Sequence, residues 1–289
     1  MDTKVITLGN YDRMTRGGIR LMSDTRLEFL IVDPQNDFCD PKGQLYVPGA
    51  EEDSKRLAYT ISRLRDRISH ISVTLDTHRL IDIAHPIFWV DNEGRHPAPF
   101  TLITKEDLKK GLWRTTLPDH MDRAVRYVDE LAKNDRYVLC IWPPHCLIGS
   151  WGHSVTKPVC DALLEWEKNF SFVDYTLKGL NMWTEHYSAL KADVEDPEDP
   201  ATWLNKKLIK RLREADIIAI SGQALSHCVA NSVRDLADNS TEEDIKKLVL
   251  LTDTTSSVKG FEKLGEDFVR EMTGRGMQVC TADEFGRNF

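Results

Sequence analysis

Cys228 stands near the start of a helix-like pattern, directly after an apolar, β-branched run (Ile217, Ile218, Ala219, Ile220) and the pair Ser221-Gly222. Strand, tight turn and helix in that order put a thiol on the first helical turn. There it meets backbone N–H groups without a helical partner and the positive end of the helix dipole. Both favour thiolate over thiol, so the expectation is a lowered pKa and a nucleophile at neutral pH. The same N–H groups can hold the oxyanion of a tetrahedral intermediate. The other reading of such a cysteine is a small buried hydrophobe. Chemistry therefore needs a base, a charge partner and a pocket from elsewhere in the chain.

Candidates stand at the ends of other expected strands. Leu27 to Val32 ends at Asp33, His70 to Leu75 ends at Asp76, Tyr137 to Trp142 leads into His145, and Phe170 to Leu177 ends at Lys178. Asp33 can take a thiol proton or merely cap a turn. Lys178 can offset a buried carboxylate and stabilise a thiolate, or lie solvated in a loop. His145 can be a ligand or a satisfied core histidine. Asp76 with His78, His85 and His145 combines carboxylate and imidazole, a donor set that suits zinc or another divalent transition metal.

These residues share a place only if the runs are strands of one sheet. Leu27 to Val32 is apolar at every position except Glu28, a pattern that suits a strand covered on both faces, as in a parallel sheet. Helical patterns follow over about 51–66, from Pro118 to Asn134, over about 157–168, from Thr202 to Ala215 and over about 261–274. Further strands are expected at Leu248 to Leu251 and Met277 to Thr281. Strands alternating with helices mean βαβ units and right-handed crossovers. The expected fold is a three-layer α/β sandwich, a mostly parallel sheet flanked by helices on both faces. Ligands bind such sheets beyond the carboxyl ends of the strands, where the five reactive residues fall. Residues 1–25 read as a polar N-terminal arm, and 26–289 as one domain carrying an irregular insert at about 91–136.

Composition narrows the partners. Of 289 residues, 41% are hydrophobic and 29% charged, which is ordinary globular usage. The net charge of -8 argues against a nucleic-acid or anionic-membrane surface, since either needs a basic excess. No apolar run approaches the ~20 residues that span a bilayer, and MDTKVITLGNYDRMTRGG has no apolar signal-peptide core. Six cysteines without CxxC pairs point to reduced thiols and a cytoplasmic location.

The segments DPQNDF (33–38), GQLYVPGA (43–50), DTHRLIDIAHPIF (76–88), WPPHC (142–146), LKG (177–179), YSAL (187–190) and GQALSHCV (222–229) occur in the order and spacing of a known group. From Leu27 onward the chain resembles the nicotinamidase/pyrazinamidase group of the isochorismatase-like cysteine hydrolases. The resemblance implies a catalytic triad of Asp33, Lys178 and Cys228, and a metal held by Asp76, His78, His85 and His145. Zinc is the first candidate, with iron and manganese as others, and in the family the ion also meets a pyridine ring nitrogen. It implies a cis peptide at Gln223-Ala224 that aims the Ala224 N–H, with that of Cys228, at the oxyanion. It implies an aromatic pocket of Phe38, Trp142 and Tyr187, a small-molecule amide as substrate, and a homo-oligomer.

Three departures bear on the substrate and none touches the triad or the metal donors. Leu190 stands where the group commonly has Phe, Gln223 replaces an aliphatic residue, and the interval from Phe88 to Trp142 is long. The expected reaction is metal-dependent hydrolysis of nicotinamide to nicotinate and ammonia through a thioester on Cys228. One alternative keeps the nucleophile and takes another small amide, ureido or carbamoyl compound. A second is an inactive binding protein on the same fold.

Overall fold

The computed structural model describes residues 25–133 and 137–286, so the expected N-terminal arm falls outside it apart from Thr25. Six strands make one sheet: β1 (Leu27–Val32), β2 (Ile68–Asp76), β3 (Asp174–Lys178), β4 (Ile217–Gly222), β5 (Leu248–Leu251) and β6 (Gln278–Cys280). Their order is β6-β5-β4-β1-β2-β3, and every neighbouring pair is parallel. The main helices are α1 (Ala50–Leu64), α2 (Met121–Lys133), α3 (Lys157–Glu167), α4 (Lys206–Arg213), α5 (Ala230–Asp238) and α6 (Glu262–Arg275).

The period-2 geometry of a strand divides these residues between two cores. Leu27, Phe29 and Ile31 of β1 pack with Leu57 and Ile61 of α1 and Leu163 and Trp166 of α3. Leu30 and Val32 point the other way, into a core shared with Val128 of α2, Leu212 of α4, Val233 of α5 and Phe268 of α6. Both faces of the sheet are therefore covered, and the molecule has the expected three layers. This double burial explains why β1 carries apolar residues on both of its faces.

The chain builds the sheet outward from β1 through β2 to β3, then returns to place β4, β5 and β6 on the other side of β1. That reversal makes a switch point between β1 and β4, where the diverging connections leave a crevice. Register brings the strand ends level, with Val32 beside Gly222 and Asp76 beside Lys178.

Three expected elements differ. Tyr137 to Trp142 does not enter the main sheet: Leu139–Cys140 pairs antiparallel with Leu102–Ile103 of the insert. The Ile141 N–H donates to the Thr101 carbonyl, and the Ile141 carbonyl accepts from Phe100. An apolar run shows that a strand wants a partner without showing which one, and here the insert supplies it. The strand expected from Phe170 begins only at Asp174, because Phe170 has a left-handed backbone (φ 58) and Phe172 is exposed. The helix expected from Thr202 begins at Lys206, where the Asn205 side chain accepts the Leu208 N–H as a cap. The rest of the insert forms a second short ladder, Trp89–Val90 with Arg114–Thr115, and a helix, Lys105–Lys109, closed by a Thr104/Asp107 capping box.

Candidate active site

Asp33 is the first residue beyond β1 and is wholly buried, with φ 43. Its backbone N–H donates to the Thr74 carbonyl at 3.1 Å, and the Thr74 hydroxyl donates to Oδ1 at 2.5 Å. The carboxyl is thus anchored through one oxygen. Its Oδ2 lies 2.8 Å from Lys178 Nζ but makes no aligned hydrogen bond among the described residues, so it keeps capacity to accept a proton. Burial pushes the Asp33 carboxyl above its usual range, against the pull of Lys178.

Lys178 closes β3 and is 2% exposed, an unusual burial for lysine that its partners explain. Its ammonium donates to Asp76 Oδ1 at 2.9 Å and to Cys228 Sγ at 3.5 Å, while pairing with Asp33. One cation therefore joins three of the sequence-predicted residues. Burial acts to lower its pKa, but the two carboxylates outweigh that and hold it well above the ordinary value. Gly179, which follows with φ 80, must be glycine for a second reason. A Cβ there would lie 3.0 Å from Asp76 Oδ1 and 3.1 Å from the His78 ring.

Cys228 sits in a single π-helical turn, Leu225–Val229, that leads into α5. The expectation of a lowered thiol pKa is not met. Burial pushes the thiol well above its usual value, and the Lys178 ammonium opposes this without overcoming it. Burial and the nearby carboxylates favour the thiol, so the sulfur needs a base at the moment of attack. The Gln223–Ala224 peptide is cis, as the family resemblance implies, and Ala224 borders the same cavity as Cys228.

At the end of β2, Asp76 Oδ2 lies 3.0 Å from His78 Nε2 and 3.3 Å from His145 Nε2. Donor atoms of these three buried residues all fall within 4.8 Å of one another, which fits one metal ion. Burial raises the Asp76 carboxyl, but His78 and Lys178 outweigh it and hold the group well below the usual carboxylate range. His78 Nδ1 contacts Asp82 Oδ2 at 3.0 Å and His145 Nδ1 contacts the Pro143 carbonyl at 2.9 Å. Such contacts fix which ring nitrogen faces a metal. His85 stands beside this trio, its ring centroid 5.3 Å from that of His78 and 5.6 Å from that of His145. Its Nδ1 is engaged with the Leu80 carbonyl at 3.1 Å, and its buried Nε2 has no hydrogen-bond partner among the described residues. Burial lowers its pKa to about 4, which keeps the ring neutral. A neutral imidazole with an orphaned nitrogen fits a ligand role.

A cavity of about 390 Å³, open mouth included, connects the metal donors to Cys228. The three pocket aromatics expected from sequence, Phe38, Trp142 and Tyr187, all border it. Trp142 Nε1 donates to Tyr187 Oη at 2.9 Å, and the Phe38 ring meets the His145 ring edge-on at 5.5 Å. Sequence reasoning missed several contributors. His227 lines the cavity, its ring 4.9 Å from Phe261 and 5.4 Å from both Trp142 and Tyr187, and burial lowers its pKa to about 4. Glu185 also borders the cavity, and burial raises its carboxyl to about 8. Gln35 clamps the Asp76 backbone in both directions: Oε1 accepts its N–H at 2.7 Å, and Nε2 donates to its carbonyl at 2.7 Å. Only adjacency to strand ends could have marked these residues, and many unrelated polar residues share that signal.

The sequence matches no family model. A curated nicotinamidase of Saccharomyces cerevisiae is 30% identical over 226 residues, covering 77% of this chain and 84% of that enzyme. Among solved structures, the yeast nicotinamidase bound to the inhibitor nicotinaldehyde superposes with a TM-score of 0.62 at 19% identity, over 88% of this chain and 99% of that one. The pyrazinamidase of Pyrococcus horikoshii in complex with zinc gives 0.54 at 18% identity, over 89% and 99%. The structural likenesses show a common fold, and the curated relative carries the kinship to sequence. The chain belongs to the nicotinamidase/pyrazinamidase family of isochorismatase-like hydrolases and is an amidase.

Proposed function

We propose that this amidase hydrolyses nicotinamide to nicotinate and ammonia, with Cys228 as nucleophile, Asp33 as proton carrier and Lys178 as charge partner. The observation that carries the reading is the single buried ammonium joined to Asp33, Asp76 and Cys228 Sγ. It holds base and thiol together and links both to the cluster of metal-type donors.

The reaction needs one mobile proton. Asp33 Oδ2 takes the thiol proton as Cys228 Sγ bonds to the amide carbon, and the electron pair of the C=O bond moves to oxygen. The N–H groups of Ala224 and Cys228 stabilise that oxyanion. Collapse breaks the C–N bond, and Asp33 returns its proton to the departing nitrogen, which leaves as ammonia. A water then gives a proton to Asp33 and bonds to the thioester carbon. Expulsion of sulfur, which recovers the proton, releases the carboxylic acid product. The raised pKa of Asp33 suits a group that must both accept and return a proton near neutrality.

Asp76, His78 and His145 would hold one divalent ion, with His85 as a fourth donor, and zinc is the ion we favour on this nitrogen-rich set. When bound, the ion would supply Lewis acidity within the cavity that Cys228 also lines. The yeast and Pyrococcus proteins, solved with nicotinaldehyde and with zinc respectively, support this reading. Six free cysteines fit a reducing cytoplasm, and half-exposed Tyr175 and Leu177 on the edge strand β3 fit a homo-oligomer.

The test is ammonia release from nicotinamide by purified protein, with elemental analysis of the same sample. Turnover with about one divalent ion per chain is expected. Absence of ammonia from metal-loaded protein would remove nicotinamide as the substrate.

A further inference from the structure

Glu185 borders the cavity, is 4% exposed, and its Oε1 has no hydrogen-bond partner among the described residues. The backbone that carries it is firmly held. The Glu185 N–H donates to Tyr127 Oη at 3.1 Å, and its carbonyl accepts from the Asp193 N–H at 2.9 Å. The carboxyl is therefore presented to the cavity by an ordered segment. A buried acceptor left without a donor costs about 1–3 kcal/mol, more when charged, so a partner is called for.

Charge balance says what kind of partner. Asp33, Asp76, Asp82 and Glu185 are all buried around this end of the sheet; the Lys178 ammonium pairs with Asp33 and Asp76, and the His78 ring pairs with Asp76 and Asp82. The charges Glu185 feels most are those of Asp82, His78 and Asp76, which belong to the metal donors and their immediate support. His85 Nε2, beside the same donors, is likewise buried and unpartnered. Two orphaned atoms of ligand type beside an acid-rich cluster call for a cation.

We propose that Glu185 is a positioning residue of the metal centre, its carboxylate facing a bound divalent ion from the substrate side and setting how tightly that ion is held. This rests on the metal-assisted reading above and adds a residue to it. Glu185 borders the same cavity as Asp76, the one carboxylate of the donor trio, and a bound divalent ion would favour its ionised form against the burial that raises it. A carboxyl that served substrate alone would change KM and leave ion affinity untouched.

The test measures Zn²⁺ and Co²⁺ affinity of the full chain, stripped with chelator and titrated in competition with a chromogenic chelator. Glu185→Gln keeps shape and hydrogen bonding while removing charge. It should weaken binding about 10–100-fold, the usual effect of losing a residue that supports metal ligands, and alter the visible spectrum of the Co²⁺ protein. Glu185→Asp should restore part of the affinity, and it carries the same test if Glu185→Gln does not fold. Tyr127→Phe, which loosens the Glu185 backbone and spares its carboxyl, should bind nearly as wild type. Wild-type affinity and spectrum in Glu185→Gln, or an equal loss in Tyr127→Phe, overturns the proposal alone. A wild-type chain that binds neither ion overturns the metal reading and this proposal together.

Discussion

Replacing Lys178 by Met tests the electrostatic core of the site through stability. The ammonium is 2% exposed and pairs with Asp33 at 2.8 Å and Asp76 at 2.9 Å. Removing one member of a buried ion pair leaves the other uncompensated, at about 3–5 kcal/mol. In a domain of this size that lowers Tm by roughly 6–20 °C, at about 2–4 °C per kcal/mol. The pH dependence has a definite sign. Asp76 is held well below the usual carboxylate range, so its contribution is present above an unfolded pKa of about 3.9 and lost as pH falls through the folded value. Much of that contribution depends on Lys178. The deficit of the variant should therefore be full at pH 7 and shrink as acid neutralises the stranded carboxylates. Asp33, already raised by burial, should protonate first and relieve the variant earliest. Urea unfolding followed by tryptophan fluorescence, with chelator present so that no bound cation substitutes for the ammonium, measures this. Asp33→Asn/Lys178→Met should recover part of the loss, because one buried charge has gone with its partner. A single variant within about 1 kcal/mol of wild type at pH 7 would refute the reasoning. So would a double variant no more stable than the single one.

Cys228→Ala should abolish ammonia release with little change in unfolding midpoint, and a substrate thioester should be trapped by mass spectrometry on Cys228 alone among the six cysteines. Because burial raises the thiol, alkylation of wild-type Cys228 should be slow at pH 7 and accelerate as pH rises; a rate flat from pH 6 to 9 contradicts this. His78→Ala should lose bound metal and turnover together, whereas full metal content in that variant would move the ion elsewhere. Replacing residues 93–110 by a Gly-Ser link should change the kcat/KM ratio of nicotinamide to a bulkier ring-substituted amide, since Phe100 packs edge-on against the pocket's Trp142 at 5.8 Å; an unchanged ratio with a dissociated oligomer would mark the insert as a subunit contact.

The sequence was most legible where one local rule decided the outcome. Burial on both faces wrote β1, apolar but for Glu28, and Ile217–Ile220 of β4 as nearly continuous apolar runs, and strand ends in a parallel sheet named Asp33, Asp76, Lys178 and Cys228 before any contact was visible. It failed where a partner far along the chain decided. Leu139–Cys140 has strand character, yet the insert captured it. The thiol pKa depended on burial by the whole assembled cavity, which local helix electrostatics cannot foretell. Glu185 and His227 carry no motif of their own, and they matter only because the fold turns them toward the cavity.

The clamp formed by Gln35 bears on how the family can vary in length. Asp33 and Asp76 are spaced by adjacent parallel strands and by an amide side chain that grips the Asp76 backbone at both its N–H and carbonyl. Downstream of the insert, the chain is caught again at Cys146, whose N–H donates to Asp37 Oδ2 at 2.6 Å and whose carbonyl accepts from His78 at 3.1 Å. Gly152 crosses so close to Asp37 that a Cβ would fall 2.0 Å from the same carboxylate oxygen. The connection after Val90 thus leaves and re-enters between fixed anchorages. Segments can be spliced there, or shortened, without resetting the distances on which bond cleavage depends. Lineages, or designers, are accordingly free to remodel the rim for new amides while inheriting the reaction unchanged.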